Sequence, residues 1–379
     1  MKHPVRVGGL CLGLGSLILA ACGSTATTGA TTAQVHPLAP NYATVLETRN
    51  GDLFAEAQSY QHGQVLEAKN GVLRLMTPEG VSTRGGVSLA LTPRGSTAWA
   101  AVMAQLELYV SPIYVGPIGS WKPAELTTAV APYPGSVLPM NSTKAVAIVG
   151  SKAYGARHQE LVQISSSGTV GELLATNATL HHLGSQANCL NPVYESLVGP
   201  ASSPTLLASC ANASRVEFAL PLAGTFVVRT SPKGSSFVGF SQLVDLPGSS
   251  VAKPVAAAVL ASNGADKDRV ELVGSLASSA KATLDGRPIA APSVAASGNG
   301  VWVLVPLAGG KSQLIAFSPT GAVTSDVAGP KQAQGLGLSL GGHPLVISAN
   351  PNANVITLWR EGSTGFVKTG SFTVPEGVN

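Results

Sequence analysis

The chain is constrained first by a recurrence. Stretches of alternating apolar residues repeatedly run into a Ser/Thr-x-x-Gly turn: LRLMTPEG (73–80), LVQISSSG (161–168), VVRTSPKG (227–234), LIAFSPTG (314–321) and, more loosely, LWREGSTG (358–365). In such a turn Pro presets φ at the second position, Ser or Thr bonds its own backbone, and Gly accepts the left-handed exit. The alternation before each turn puts one face of a strand inward and the other outward. A second kind of segment reads strand, short turn, strand: VSLALTPRGSTAWAAV (87–102), SVLPMNSTKAVAIVG (136–150), SLVGPASSPTLLASC (196–210), PSVAASGNGVWVLV (292–305) and LGLSLGGHPLVISAN (336–350). A weaker copy, PVAAAVLASNG (254–264), fills the gap between the third and fourth of these, with strands near FVGFSQLVDL (237–246) in the same unit. The second strand of each is continuously apolar, which predicts burial on both faces.

The two kinds alternate with a period of about 50 residues. Four-stranded units at that spacing predict an all-β fold, a β-propeller whose blades stack around an axis because none can bury both faces alone. The partition 46–84, 87–130, 136–176, 188–232, 236–287, 292–329 and 335–375 gives seven blades, or six if the first segment only closes the ring. The segment YATVLET (42–48) is expected to add a strand to the last blade near SFTV (371–374), removing open edges. A pair of β-sandwiches or a β-solenoid also produces many short strands. SLALTPRGSTAWAAV and PLVISANPNANVITLW resemble the YVTN-type propeller repeat, two blades closely and the rest loosely. Glu79, Arg94 and Thr320 stand where that family often has Asp before the turn glycine, so the resemblance implies fold more than function.

Composition agrees. Charged residues make up 11% of the chain, against 43 glycines and 26 prolines, and long helical patterns are absent. The net charge is +4, with no basic cluster, which argues against a nucleic-acid partner.

The first residues give an address. Lys2, His3 and Arg6 precede an apolar run from Val7 to Ala20, short of the roughly 20 residues a membrane span needs. It fits the apolar region of a secretory signal peptide. Leu19-Ala20-Ala21-Cys22 resembles the lipobox of bacterial lipoproteins. The resemblance implies cleavage before Cys22 and a thioether from its sulfur to a diacylglycerol. The alternatives are a plain signal peptide or an uncleaved anchor. The expected organisation is therefore 1–21 as lipoprotein signal peptide, 22–41 as a flexible tether rich in Ser, Thr, Ala, Gly and Pro, and 42–379 as the propeller. The expected location is the extracytoplasmic face of the cell membrane, with the protein held by lipid as a monomer.

Beyond Cys22 two cysteines remain, Cys189 and Cys210, which flank short runs around 192–198 and 205–209 that read as neighbouring strands. Export permits a disulfide, and we expect a Cys189–Cys210 bridge; two buried thiols, or other partners, are the alternatives.

Motifs for chemistry are sparse. His181 and His182 are the only paired histidines and are expected on an exposed loop, with no third ligand at metal spacing. No nucleophile elbow, phosphate loop or dinucleotide motif occurs. The acids are scattered singly, save GADKDRVE (264–271), which reads as a solvated hairpin turn or, less simply, a calcium loop diluted by Lys267 and Arg269. No metal or cofactor is expected. Trp99, Trp302 and Trp359 sit in apolar strand patterns and predict core packing. Trp121 lies in a Pro/Gly-rich segment beside Lys122, with Tyr133 close in sequence; these three are the candidate contact residues. The expected function is a non-catalytic binding or scaffold propeller engaging a protein or envelope polymer through loops at one end. The alternatives are an extracytoplasmic hydrolase or lactonase at the channel mouth, and a sensor with a small ligand in the channel.

Overall fold

A computed structural model of the chain describes residues 43–58, 63–69, 72–76, 87–92, 95–103, 113–120, 122–123, 137–153, 156–186, 193–199, 204–209, 216–221, 227–230, 235–242, 244–246, 253–262, 267–274, 280–350 and 355–373. Its strands run in antiparallel order: β1–β4 (Ala43–Glu47, Leu53–Gln58, Gly63–Lys69, Val72–Leu75), β5–β8 (Val87–Leu91, Ala98–Met103, Ile113–Pro117, Lys122–Pro123) and β9–β12 (Val137–Pro139, Lys144–Ala153, Ala156–Ser165, Val170–Ala175). After helix α1 (Asn177–Gln186) come β13–β16 (Val193–Val198, Thr205–Ser209, Val216–Pro221, Val227–Thr230), then β17–β21 (Ser235–Phe240, Val244–Asp245, Pro254–Ser262, Arg269–Gly274, Lys281–Thr283). The chain ends with β22–β25 (Ser293–Ser297, Gly300–Leu307, Lys311–Phe317, Val323–Ala328) and β26–β29 (Ala333–Leu338, Pro344–Asn350, Val355–Gly362, Gly365–Thr373). The fold is an all-β propeller. In the fifth run, β17 and β18 both pair with β19, so its first strand is broken in two.

The turns form as their residues dictate. Gly168 N–H donates to Ser165 O at 3.0 Å with φ +84°, and Gly321 N–H to Ser318 O at 2.9 Å with φ +88°. The same closure recurs at Thr48–Gly51, Thr92–Gly95 and Ser339–Gly342. The recurrence therefore marks two kinds of connection, first to second strand and third to fourth. TPEG (77–80) and SPKG (231–234) follow the last strands of their runs and lie outside the described residues.

Closure of the ring differs from the sequence expectation. β1 does not join the strand ending near 371–374. It pairs antiparallel with β2 and, in parallel, with β26, Ala43 opposite Gly335 and Leu46 opposite Leu338. Ser371 instead pairs with Val72 of β4, so the first and last runs share one eight-stranded sheet curled on itself. The reason lies in β26: a Cβ on Gly337 would overlap the Val45 carbonyl oxygen, so glycine lets the two backbones meet there.

Neighbouring runs bury their faces against each other. Val65 packs with Leu89 and Ala100, then Trp99 and Val115 with Val137, Ala147 and Ile164, and Val146 and Ile148 with Tyr194, Leu197 and Leu206. Further round, Val255 and Leu272 meet Val303 and Ile315; Leu304 meets Leu336 and Val346; Leu66 meets Leu345 and Ile356. Each buried Val, Leu or Ile among them contributes about 1.5–3 kcal/mol of apolar burial. As expected, the second strands are buried on both faces: residues 255–260 of β19 and 344–349 of β27 are buried without a break.

Candidate functional site: the channel and its two rims

The first strand of each run faces a common cavity of about 400 Å³, lined from β1, β5, β9, β13, β18, β22 and β26. β1 and β26 pair in parallel, and in a ring of like blades the lining strands run the same way. The channel thus has an N-rim, where its lining strands begin, and a C-rim, where they end. The lining is aliphatic, with Leu89, Val137, Leu197, Val294 and Leu336 among its members, and Glu47, Gln242 and Asp245 as its charged or amide side chains.

Both carboxylates are engaged. Glu47 Oε1 accepts from Arg360 Nη2 at 3.2 Å and its Oε2 from the Leu340 N–H at 2.7 Å. Asp245 Oδ1 accepts from the Lys253 N–H at 2.6 Å, which closes the β18–β19 turn. Each is a structural bond at the C-rim. Among the described residues no three of His, Cys, Asp and Glu converge.

The C-rim carries the polar turns: Thr48–Gly51, Gly95–Ser96, Gly119–Ser120, Asn141–Thr143 and Ser339–His343. Asn141 Oδ1 accepts from Thr143 and Lys144 N–H at 2.8 and 2.9 Å, which fixes its turn. His343 Nδ1 stands 3.4 Å from Glu361 Oε2 on the same rim. β7 ends and β8 begins at the C-rim, on either side of Trp121; β8 ends and β9 begins at the N-rim, on either side of Tyr133. The topology therefore separates the connections that carry the candidate contact residues. Trp121 and Tyr133 themselves lie outside the described residues, and Lys122 opens β8 opposite Val115. Cys22, Cys189 and Cys210 also lie outside them. The strands the two later cysteines flank do pair as neighbours, Val193 opposite Ser209.

His181 and His182 sit on α1, not on a loop. Thr176 caps this helix: its Oγ1 accepts from Thr179 N–H at 3.2 Å, and its carbonyl from Leu180 N–H. The capping Thr and the Leu180/Leu183 spacing were the signals for a helix. Neighbours on a helix diverge, so the pair cannot share one ion. The acidic patch is a hairpin connection, as expected: β19 pairs with β20, Asp268 Oδ1 accepts from Ser262 N–H, and Arg269 pairs with Glu271 at 2.7 Å. Trp99 is fully buried, and its Nε1 has no partner among the described residues. Trp302 and Trp359 pack against the Leu304–Leu336 cluster, and Trp359 Nε1 donates to Ser348 Oγ at 2.7 Å.

No family model matches the chain, and no curated protein matches its sequence. Solved structures resemble it. A puromycin hydrolase, as its S511A mutant complexed with PGG, superposes with a TM-score of 0.54 at 13% identity over 90% of this chain. This chain spans 56% of that hydrolase's length. The BP39L lectin from Burkholderia pseudomallei gives 0.52 at 10% identity, over 86% of this chain and 97% of the lectin. The β-propeller domain of the Trilobed protease from Pyrococcus furiosus gives 0.47 at 10% identity, over 88% of this chain and all of that domain. At these identities the two superpositions above 0.5, with the hydrolase and the lectin, bear on the fold alone, and the protein is of the β-propeller class.

Proposed function

We propose that the chain is a lipid-anchored, non-catalytic binding propeller on the extracytoplasmic face of the cell membrane, engaging a protein or envelope polymer through its C-rim turns. The observation that carries this reading is the channel. Its walls are aliphatic, and its two carboxylates are held by Arg360, by the Leu340 N–H and by the Lys253 N–H. A hydrolase at the channel mouth needs converging, unengaged acid and base groups. Rigid sheets presenting polar turns suit recognition.

Anchoring is tested on the N-terminal peptide. The reading expects a diacylated Cys22 by mass spectrometry and membrane-fraction protein that Cys22→Ala releases. An unmodified Cys22 in a mature, soluble chain overturns the anchor. Binding is tested by photo-crosslinkers placed at Ser120 on the C-rim and at Gln332 on the N-rim of the anchored protein. One discrete adduct from Ser120 only supports the reading; adducts from Gln332 only overturn it.

A further inference from the structure

We propose that the N-rim beside the ring closure docks on anionic lipid headgroups, so that the propeller sits on the bilayer with its C-rim turned away. The inference rests on the anchored reading for its biological setting, though not for its chemistry.

Three connections meet there. Arg287 precedes β22, Lys311 opens β24 after a tight turn at Ala308–Gly310, and Lys331 precedes β26. Backbone bonds hold them together: Ala308 N–H donates to Arg287 O at 2.8 Å, and Gln332 N–H to Gly310 O at 2.8 Å. Gln332 has φ +56°, the one positive value among described non-glycine residues, and Gly309 and Gly310 have +74° and +71°. The backbone is therefore bent sharply to bring Lys311 and Lys331 onto adjoining loops.

All three cations are exposed, and none has a side-chain hydrogen bond or ion pair among the described residues. Asp285 is exposed nearby, while Asp326 is held by Gln313 Nε2 at 2.8 Å. Three cations against these two carboxylates leave the stretch with a net positive charge of one. At the C-rim the charges are interspersed: Arg49, Lys69, Lys144, Lys253 and Arg360 stand among Glu47, Asp52, Asp245 and Glu361. The third observation is chain direction. β1 begins at the N-rim, with Ala43 opposite Gly335 of β26, four residues after Lys331. In the anchored reading, a lipid on Cys22 and these cations act as two signals for one surface.

The test measures amine acetylation of Lys311 and Lys331 in the purified full chain. Lys144 and Lys253, on the opposite rim, are internal controls. Vesicles of phosphatidylcholine alone are compared with an equal mixture of phosphatidylcholine and phosphatidylglycerol. The expected result is that the anionic vesicles slow acetylation of Lys311 and Lys331 about threefold or more, that high salt reverses the effect, and that the controls do not change. Replacing Arg287, Lys311 or Lys331 by Gln should each weaken binding to the anionic vesicles about fivefold. Equal acetylation on both vesicle types overturns the proposal, as does protection of Lys144 and Lys253. Protection by soluble polyphosphate but not by vesicles also overturns it, in favour of an anionic polymer. The labelling needs no acyl chain, so an unmodified Cys22 would end the anchored reading and leave this result standing.

Discussion

The Gln159 side chain completes a two-hydrogen-bond bridge to Tyr194, one sheet further round the ring. Its Oε1 accepts from the Tyr194 N–H at 2.7 Å, and its Nε2 donates to the Tyr194 carbonyl at 2.8 Å. A carboxamide here does what a strand partner would do for the buried edge of β13 that β14 does not pair. Gln313 repeats the device, accepting from Asp285 N–H at 2.9 Å and donating to the Thr283 carbonyl at 3.2 Å. Gln159→Leu keeps the volume but leaves a buried N–H and C=O unpaired, at a cost of about 1–3 kcal/mol for each group. Urea unfolding should show a lower midpoint with an unchanged slope. A midpoint within error of the parent would mean that water or rearrangement replaces the bridge.

Tyr194 also ties α1 to the sheets, its hydroxyl donating to the Leu180 carbonyl at 2.7 Å. Burial pushes its phenol above the ordinary value of 10.0, because the phenolate would lose its hydration. The folded state thus holds this proton more tightly than the unfolded state does. Its contribution to stability is complete below the unfolded pKa and is lost as pH rises above it. Tyr194→Phe should be about 1 kcal/mol less stable at neutral pH. It should also lose less stability than the parent on going to strongly alkaline pH. Unfolding measured at neutral and alkaline pH checks both signs.

The seam between first and last runs makes a sharp test of ring closure. Gly337→Ala sets a methyl group against the Val45 carbonyl oxygen and must part β1 from β26. Gly298→Ala is the control, since a Cβ there meets nothing within 4 Å and its φ is not positive. Hydrogen exchange should accelerate at residues 43–47 and 333–338 in Gly337→Ala alone. Uniform acceleration across all sheets would show that closure and global stability are one cooperative unit.

Much of this fold can be read from local chemistry. Alternation and Ser/Thr-x-x-Gly turns mark strands because φ and the turn hydrogen bonds are set within four residues. The seam could not be read this way, because whether Ala43 lies beside Gly335 or Ser371 depends on contacts between opposite ends of the chain. What marks it in sequence is the Gly335-x-Gly337 spacing, a strand with two side chains missing. Helix α1 was legible in Thr176 and in Leu180 and Leu183, but ten residues without strong amphipathy are easily lost among strands. The rim cations were the least visible. Arg287, Lys311 and Lys331 are scattered in sequence, and only the shared end of three connections gathers them.

The register of β13 and β14 frames a test of the expected Cys189–Cys210 bridge. β13 and β14 pair with Val193 opposite Ser209 and Val198 opposite Thr205, so the chain segments just before β13 and just after β14 leave the sheet at the same end. Cys210 follows Ser209 directly, and Cys189 stands shortly before Val193. A bridge there would staple the open end of a hairpin whose other end is closed by its own connection. In the chain-entropy view it would stabilise by about 3 kcal/mol. Peptide mapping without reductant should recover the two cysteines in one linked species. Cys189→Ser and Cys210→Ser should each lower the unfolding midpoint, and the double variant should be no less stable than either single one, because the first substitution already removes the bond. Two thiols that alkylate freely in the native protein, or a double variant whose losses add, would show two separate cysteines instead.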